Sequence, residues 1–291
     1  MKKSCLLWLA VFAAIWAGYY LLLKDRGLDP AALGWMSFFG GIAGWFLASA
    51  VWTLLNAGDE VKALRRAQAG EAPQDGRLEA AVGPIYPLGQ PLASPLEGLE
   101  CVAYEYVIGH RGDDEPVKDF TGFALTPSAI RTSRGSVLML GWSMLDAFPK
   151  RRPFGPHIIE RAKAYLRETP FEKVTLRQVP GLMSELFTDD DGSMRRDIRI
   201  TDKPEMAMED RVLSETCVPV GEHVVGLGVF SLAKGGLVAV TKGAFQMTQL
   251  FPGDVEGAVR RARGKVWGSV IFGVIFAVLV NGGIWAMLRN R

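Results

Sequence analysis

The stretch from residue 267 to residue 288 most restricts how this chain can fold, because it runs 22 residues without a charge. Eleven of its positions are Val, Ile, Leu or Phe, which together favour insertion into a bilayer by roughly 3 to 7 kcal/mol. Trp267 and Trp285 lie near its ends, where interfacial aromatic residues are common. The sequence therefore predicts a membrane span here.

Two further uncharged stretches occur near the N-terminus and predict spans at residues 5–23 and 34–56, joined by a short hairpin loop. The first stretch has the basic start of a signal peptide. Its apolar run is longer than a signal-peptide core, however, and a second run follows at once, so an uncleaved span is the favoured interpretation. Residues 1–58 are thus predicted to form a transmembrane hairpin and residues 254–291 a basic helix, the third span and a short tail.

The second predicted span carries Gly40, Gly44 and Ala48 at intervals of four residues. This spacing places the small residues on one helix face, which permits close approach of another helix. The partner is either the first helix of the same chain or a second copy in a homo-oligomer. A third interpretation is that small residues are simply common in spans.

Charge placement predicts the orientation of these spans. Nine basic residues near span ends fall on one side: Lys2, Lys3, Lys62, Arg65, Arg66, Arg260, Arg261, Arg263 and Lys265. Four fall on the other: Lys24, Arg26, Arg289 and Arg291. The positive-inside rule then places the N-terminus and the large domain in the cytoplasm. The formal net charge of the whole chain is only +2, which argues against a nucleic-acid-binding protein.

Residues 59–77 have the composition of a charged helical extension followed by a linker, and residues 78–253 alternate between short strands and turns. We expect a strand-rich α+β domain, either a small β-barrel or a sandwich with helical insertions. Strands are predicted at residues 78–86, 99–108, 120–125, 173–179, 195–201, 212–218, 223–232, 236–241 and 245–250, a hairpin at 130–140, and a helix at 158–167. Residues 142–148 are expected to leave the sheet.

Two of these strands carry more detailed expectations. Alternation in residues 99–108 places Val102, Tyr104, Tyr106 and Ile108 on one buried face. Prolines after residue 83 predict that residues 78–86 form an edge strand followed by an extended loop. The same prolines also fit a ligand for an SH3-type domain.

Candidate chemistry is sparse. The three histidines, His110, His157 and His223, lack the spacing of a zinc site, and no Cys-x-x-Cys pair occurs. Cys217, Glu222 and His223 combine nucleophile, acid and base types, although a buried thiol beside a surface histidine is the plainer interpretation.

Charged loops leave further alternatives. The basic loop of Lys150, Arg151 and Arg152 either contacts anionic lipid headgroups or is solvated, and residues 189–191 form a solvated acidic turn or a calcium site. The basic residues before the third span, Arg260, Arg261, Arg263 and Lys265, are likewise candidates for headgroup contacts.

Several segments occur in a fixed order, namely PLASPLEGLEC, FTGFALTP, WSMLDAFP and VPVGEHVVGLGVF, followed by a basic helix and a span. In this order they resemble the GIDE family of membrane proteins. The most specific positions are Pro91, Leu92, Ser94, Pro95, Cys101, Val220, Gly221, Gly226 and Gly228. The resemblance covers residues 78–288, with an expanded middle between residues 149 and 208. It implies a beside-a-membrane domain carried between two spans.

Animal members of that family are mitochondrial E3 ubiquitin ligases in which a zinc-binding RING domain follows the last span. This sequence has no such ligand set, and its extra N-terminal span makes it more similar to RING-less bacterial relatives, which implies a bacterial inner membrane. We therefore expect a protein-binding or regulatory module with an unidentified partner, and no catalytic residue, metal or cofactor. The alternatives are a ubiquitin ligase-type transferase, an unrecognised hydrolase, and a lipid- or small-ligand-binding barrel beside the membrane.

Overall fold

The computed structural model describes residues 2–26, 28–112, 117–141, 143–145, 147–173, 193–200, 207–238 and 248–289. The chain divides into two compact units. Of the described residues, those up to Lys62 and from Val259 onward form the helical unit, and those between Ala63 and Ala258 form the strand-rich unit.

The described elements follow in this order: α1 (Lys2–Leu23), α2 (Pro30–Gln68), β1 (Leu78–Pro87), β2 (Leu92–Ala93), β3 (Glu100–His110), β4 (Val117–Leu125), β5 (Ser128–Thr132), β6 (Gly135–Met139), β7 (Ser143–Met144), α3 (Pro156–Glu168), β8 (Glu172–Lys173), β9 (Met194–Arg199), a 3₁₀ turn (Met208–Asp210), β10 (Arg211–Pro219), β11 (His223–Ser231), β12 (Gly236–Val238), β13 (Thr248–Pro252) and α4 (Val255–Arg289).

Two helices of the described chain, α2 and α4, are long and apolar enough to cross a membrane. Only 24% of the most apolar window of α2 and 11% of that of α4 are buried within the protein, whereas a core helix of a soluble protein would be mostly covered. Helix α1 spans 22 residues, and its described apolar part, Leu9–Leu23, is shorter than the other two.

Tyr19 of α1 contacts both other helices of the helical unit. Its hydroxyl donates a hydrogen bond to Asn281 Oδ1 of α4 at 3.0 Å, while Asn281 Nδ2 donates to the carbonyl of Ala277 at 2.8 Å. The ring of Tyr19 lies where a side chain at Gly40 of α2 would have to be. A glycine at this position therefore permits one tyrosine to connect three helices.

Close packing between helices recurs at two other glycines. Gly44 of α2 faces Ile15 of α1, and Gly273 of α4 faces the backbone of Phe46 in α2. Gly40 and Gly44 thus serve contacts within the chain, as the first interpretation of their spacing predicts. Ala48, the third member of that series, is half-buried.

Five strands of the strand-rich unit close into a barrel. They follow the order β1-β5-β6-β12-β11, and β11 pairs back with β1, while β13 and β7 extend the sheet beyond β11. Strand β1 changes partner at Gly83 and Pro84, pairing with β11 up to Pro84 and with β5 from Ile85. A side chain at Gly83 would collide with the carbonyl of Arg131, so only glycine fits this corner. The prediction that β1 is an edge strand is therefore wrong, because the proline marks a barrel corner instead.

The second sheet has the order β10-β3-β4-β9-β8, with β2 beside β3. One apolar cluster joins Val102 and Val218 of this sheet to residues of the first sheet such as Ile85 and Leu250. Residues of β3 and β10 also contribute to a second cluster with α3, which buries Ile158, Ile159 and Ala162.

Strand β3 is consequently buried on both faces, not on one as the alternation predicted. Tyr104, Tyr106 and Ile108 share the cluster with α3, but Val102 belongs to the barrel-side cluster. The register jumps from Ala103 opposite Val218 to Cys101 opposite Pro219. Val102 is therefore the extra residue of a β-bulge, and the bulge reverses the side-chain alternation.

Other expectations from the sequence fare as follows. The hairpin turning at residues 133–135, the helix at 158–167 and the strands at 78–86, 120–125, 195–201, 212–218 and 223–232 are confirmed within one to three residues. Residues 143–144 do not leave the sheet but pair with β13. The acidic residues 189–191, and most of the strand predicted at 173–179, lie outside the described residues.

Candidate functional site

Residues 91–99, which include four of the positions that carried the sequence resemblance, contain a turn that holds a buried carboxylate. Glu215 of β10 is 1% exposed, and its oxygens accept hydrogen bonds from Ser94 Oγ at 2.9 Å, Leu96 N at 2.8 Å and Glu97 N at 3.1 Å. Burial raises the pKa of Glu215, although the hydrogen bonds from this turn oppose the shift. The carboxylate is enclosed, so it joins strand β10 to the turn and does not face a substrate.

Helix α3 contacts the same turn. Arg161 of α3 donates to the carbonyls of Pro95 at 3.3 Å and Ser94 at 3.4 Å. Gly98 has φ +75°, and a side chain there would meet the guanidinium of Arg161. Pro91 and Leu92 lead into the turn, and Cys101 is fully buried at the start of β3.

The other positions that carried the sequence resemblance lie in the barrel or in the turn that leads into it. Val220 and Gly221 form the turn between β10 and β11, in which Gly221 has φ +80° and Glu222 N donates to the carbonyl of Pro219. A Cβ at Gly226 would lie 2.7 Å from Ile130 Cδ1, and one at Gly228 would lie 2.8 Å from the carbonyl of Val238. The barrel is too narrow for side chains at these positions, so the motif specifies a fold.

A second polar cluster, centred on Asp197 of β9, anchors α3 to the sheet. Asp197 Oδ1 accepts hydrogen bonds from Tyr106 at 2.6 Å and Tyr165 at 2.7 Å, and Oδ2 accepts one from Arg195 Nε at 2.9 Å. Burial and the hydrogen bonds to Asp197 raise the pKa of both tyrosines, so both stay protonated and donate. Sequence reasoning missed this cluster, which we call the Asp197 cluster.

Cys217, Glu222 and His223 do not assemble into a nucleophilic site. Burial raises the pKa of the Cys217 thiol to about 11, and its side chain belongs to the core beneath α3. His223 is exposed at the start of β11, where Nδ1 lies 3.1 Å from the carbonyl of Gly253 and must carry the proton. A neutral, buried thiol is not an activated nucleophile.

The other histidines also lie apart from one another. His110 Nδ1 lies 3.0 Å from both oxygens of buried Asp119, which also accepts a hydrogen bond from Arg211 at 2.9 Å. His157 is exposed on the first turn of α3. Among the described residues, no group of three or more His, Cys, Asp or Glu side chains could hold a metal ion.

The basic residues proposed for lipid contact have mixed environments. Arg151 pairs with Glu97 at 3.0 Å, and its backbone bridges to Glu215, whereas Lys150 and Arg152 are exposed. Exposed Arg260, Arg261 and Arg263 line one face of α4, opposite buried Val259, Ala262 and Val266. The side chain of Lys265 lies outside the described residues.

The candidate binding site is a groove lined by the end of α2, strand β1 and the β5–β6 hairpin, here called the barrel-face groove. It consists of two adjoining cavities of about 270 and 410 Å³ that share Ala67, Val82 and Ser133. The larger volume falls within the range of small-ligand pockets and the smaller lies just below it. One cavity continues to Phe230 and Leu237, and the other to the first residues of α4.

Charged side chains surround the apolar lining of the barrel-face groove. Arg134, at the tip of the β5–β6 hairpin, and Glu71 line the first cavity, and Asp254 and Glu256 line the second. This site could not be predicted from the sequence, because its residues come from seven separate helices and strands. The available signal was the small outward-facing pair Ala80 and Val82 on β1.

Comparison of the chain with protein-family models, with curated proteins and with solved structures finds no match.

Proposed function

We propose that the protein is a three-span membrane protein whose strand-rich unit acts as a binding or regulatory module of the GIDE type at the bilayer surface. The observation that carries this proposal is the pair of little-buried apolar helices, α2 and α4. These helices continue from the two ends of the strand-rich unit, at Ala63 and Ala258. A domain with a helical span at both ends stays within reach of the membrane and of other membrane proteins.

The contacts of α1 support its retention as the third span. A signal peptide is removed, but Tyr19 fills the space above Gly40 and bonds Asn281 of α4. Loss of α1 would expose the space above Gly40 and would remove the hydrogen-bond donor to Asn281, a polar side chain in the apolar helix α4. Polar residues in spans are costly unless they are paired.

Charge placement supports a cytoplasmic domain. Nine basic residues flank the spans on the domain side against four on the other, and the rule is strongest close to the spans. The resemblance to RING-less relatives adds a bacterial inner membrane to the proposal.

The use of the polar side chains favours binding over catalysis. Glu215 and Asp197 are held by donors of the protein itself, and Cys217 is neutral and buried. A ubiquitin transferase or a hydrolase would need reactive groups that substrates can reach. The barrel-face groove favours a second candidate function, a barrel that binds a small ligand.

A protease-protection experiment on intact spheroplasts tests the topology. One variant carries an epitope in the linker at residues 70–76, and the matched control carries it in the α1–α2 loop at residues 24–26. We expect protease outside the cell to remove only the loop epitope. Cleavage at the linker without lysis would contradict the cytoplasmic placement, and recovery of the chain in the soluble fraction after carbonate extraction would contradict membrane integration. Crosslinking in native membranes, followed by identification of co-purified proteins, then identifies the partner.

A further inference from the structure

The second sheet carries a cavity on the face opposite α3, here called the sheet cavity. It lies over β10, β3 and β4, and Leu145, Phe148 and Lys150 line it from the side. Its volume of about 350 Å³ falls within the range of small-ligand pockets. The described residues of its lining all belong to the strand-rich unit, so the site does not depend on the proposed membrane anchoring.

Two rows of side chains cross the sheet beneath the sheet cavity. The strand registers define them as Ser214, Val107 and Thr121 in one row and Thr216, Glu105 and Phe123 in the other. Val107 and Phe123 are half-buried. The floor therefore has hydroxyls on its β10 side and apolar surface towards β3 and β4.

The two hydroxyls on the β10 side are buried without a partner. Ser214 is 4% and Thr216 is 9% exposed, and neither side chain makes a hydrogen bond to any residue that the structure describes. The hydroxyl of Thr121 on β4, by contrast, donates to the carbonyl of Tyr106 at 3.0 Å. Buried polar groups are nearly always hydrogen-bonded, so the β10 side of the cavity suits a polar group of a ligand.

A lysine lies next to these hydroxyls. Arg151 and Glu215 form an antiparallel bridge through two backbone hydrogen bonds of 2.8 and 3.0 Å. This register puts Lys150 opposite Thr216, and both line the sheet cavity. One ammonium group and two hydroxyls that can donate are the groups that bind a carboxylate.

The remaining charges of the lining limit the charge of the ligand. Lys118 lines the cavity from β4, and Glu105 lies in the floor between the two sides. The carboxylate of Glu215 is held by Ser94 and the turn on the other face of the sheet. Two lysines and one carboxylate leave a single net positive charge, which attracts a monoanion, whereas a second negative charge on the ligand would be repelled by Glu105.

We propose that the sheet cavity binds a small monocarboxylic acid with an apolar body. The carboxylate lies at Lys150 and accepts hydrogen bonds from the hydroxyls of Ser214 and Thr216, and the apolar body covers Val107 and Phe123. This activity goes beyond the proposed role at the membrane, because it makes the strand-rich unit a receptor for a soluble metabolite.

The experiment uses the full chain in maltoside micelles and 4-fluorobenzoate as the probe, with fluorine NMR line broadening as the readout and empty micelles as the blank. 4-Fluorobenzylamine has a similar size and the opposite charge. We expect saturable broadening of the acid with a dissociation constant of about 1 mM or lower, and no saturable broadening of the amine.

Two substitutions test the carboxylate contacts. Lys150→Gln should weaken binding of 4-fluorobenzoate about fivefold to tenfold, and Ser214→Ala about threefold. Arg152→Gln, at an exposed residue of the same loop, and Ser231→Ala, at the end of β11, are the matched controls and should bind as the parent chain does.

Four results would overturn the inference. They are equal binding of the acid and the amine, equal affinities of the Lys150→Gln and Arg152→Gln variants, absence of saturation at about 10 mM probe, and displacement of the probe by an equal concentration of acetate, which lacks the apolar body. Lys150 is exposed, so its variant tests binding even if Ser214→Ala disturbs the sheet.

Discussion

The Asp197 cluster gives the most quantitative test of the fold. Tyr106→Phe removes a hydroxyl that donates to Asp197 at 2.6 Å from a residue that is 1% exposed. Water cannot replace this donor, and hydrogen bonds to charged groups contribute about 1.5 to 3 kcal/mol. We expect a loss of about 2 to 3 kcal/mol. Tyr165→Phe should cost about 1 to 2 kcal/mol, because Tyr165 is only partly buried and water can reach the vacated position.

The double variant tests whether the two hydroxyls share one acceptor. Both donate to Asp197 Oδ1, so either can partly compensate for loss of the other. We therefore expect the double substitution to cost about 1 kcal/mol more than the sum of the single costs, within the range known for groups in one network.

Thermal unfolding of the full chain in detergent micelles, followed by far-ultraviolet circular dichroism in the strand band, provides the measurement. At about 2 to 4 °C per kcal/mol for a domain of this size, Tyr106→Phe should lower the midpoint by roughly 4 to 12 °C. Tyr86→Phe is the control, because its hydroxyl has no hydrogen bond to any residue that the structure describes. Equal midpoints for the Tyr106 and Tyr86 variants would refute the assigned role of Asp197.

Three further substitutions or treatments test other parts of the structure. Cys101 and Cys217 should resist alkylation in the folded chain at about pH 8, because the thiolate is the reactive form. Burial raises the pKa of the Cys101 thiol to about 12 and that of the Cys217 thiol to about 11. Rapid labelling of the folded chain would contradict their burial. Burial raises the pKa of Glu215, so its contribution to stability falls as pH rises through the folded-state pKa. The difference in midpoint between the parent chain and Glu215→Gln should thus shrink from about pH 4.5 upward, and a widening difference would exclude this linkage. Gly40→Leu should reduce disulfide crosslinking between cysteines introduced in α1 and α2 several-fold, because the ring of Tyr19 occupies the space that the new side chain needs. Gly34→Leu is the control and should have no effect, because the space around Gly34 is open.

Local sequence pattern predicted the elements of the strand-rich unit better than their partners. Alternation and turn residues located the β5–β6 hairpin and most strands, because each depends on neighbours in sequence. The partners of β1 could not be predicted, since a proline that suggests an edge is equally compatible with a barrel corner. Val102 was assigned to the wrong face because a one-residue bulge reverses the alternation of side chains along β3. The residue types at the bulge do not indicate that a bulge is present.

The polar contacts of the candidate site escaped prediction for a related reason. Ser94 and Glu215 are 121 positions apart, and Tyr106 and Asp197 are 91 positions apart. Each residue taken alone is typical of a solvated strand or turn, and only the sheet order brings the partners together. Residues such as Ser94 and Gly226 were singled out by a resemblance in sequence alone, but their roles in the turn around Glu215 and in the narrow barrel follow from three-dimensional packing.

Closure of the barrel has a consequence for biosynthesis. Leu78 at the start of β1 pairs with Val229 of β11, roughly 150 positions later, so β1 emerges from the ribosome long before its partner. Contacts this distant in sequence fold slowly, and unpaired strand edges are prone to aggregation in the meantime. Helices α1 and α2 are synthesised first, so the proposed membrane anchoring implies that they hold the nascent β1 at the membrane, away from other unfinished chains in solution, until β11 is synthesised.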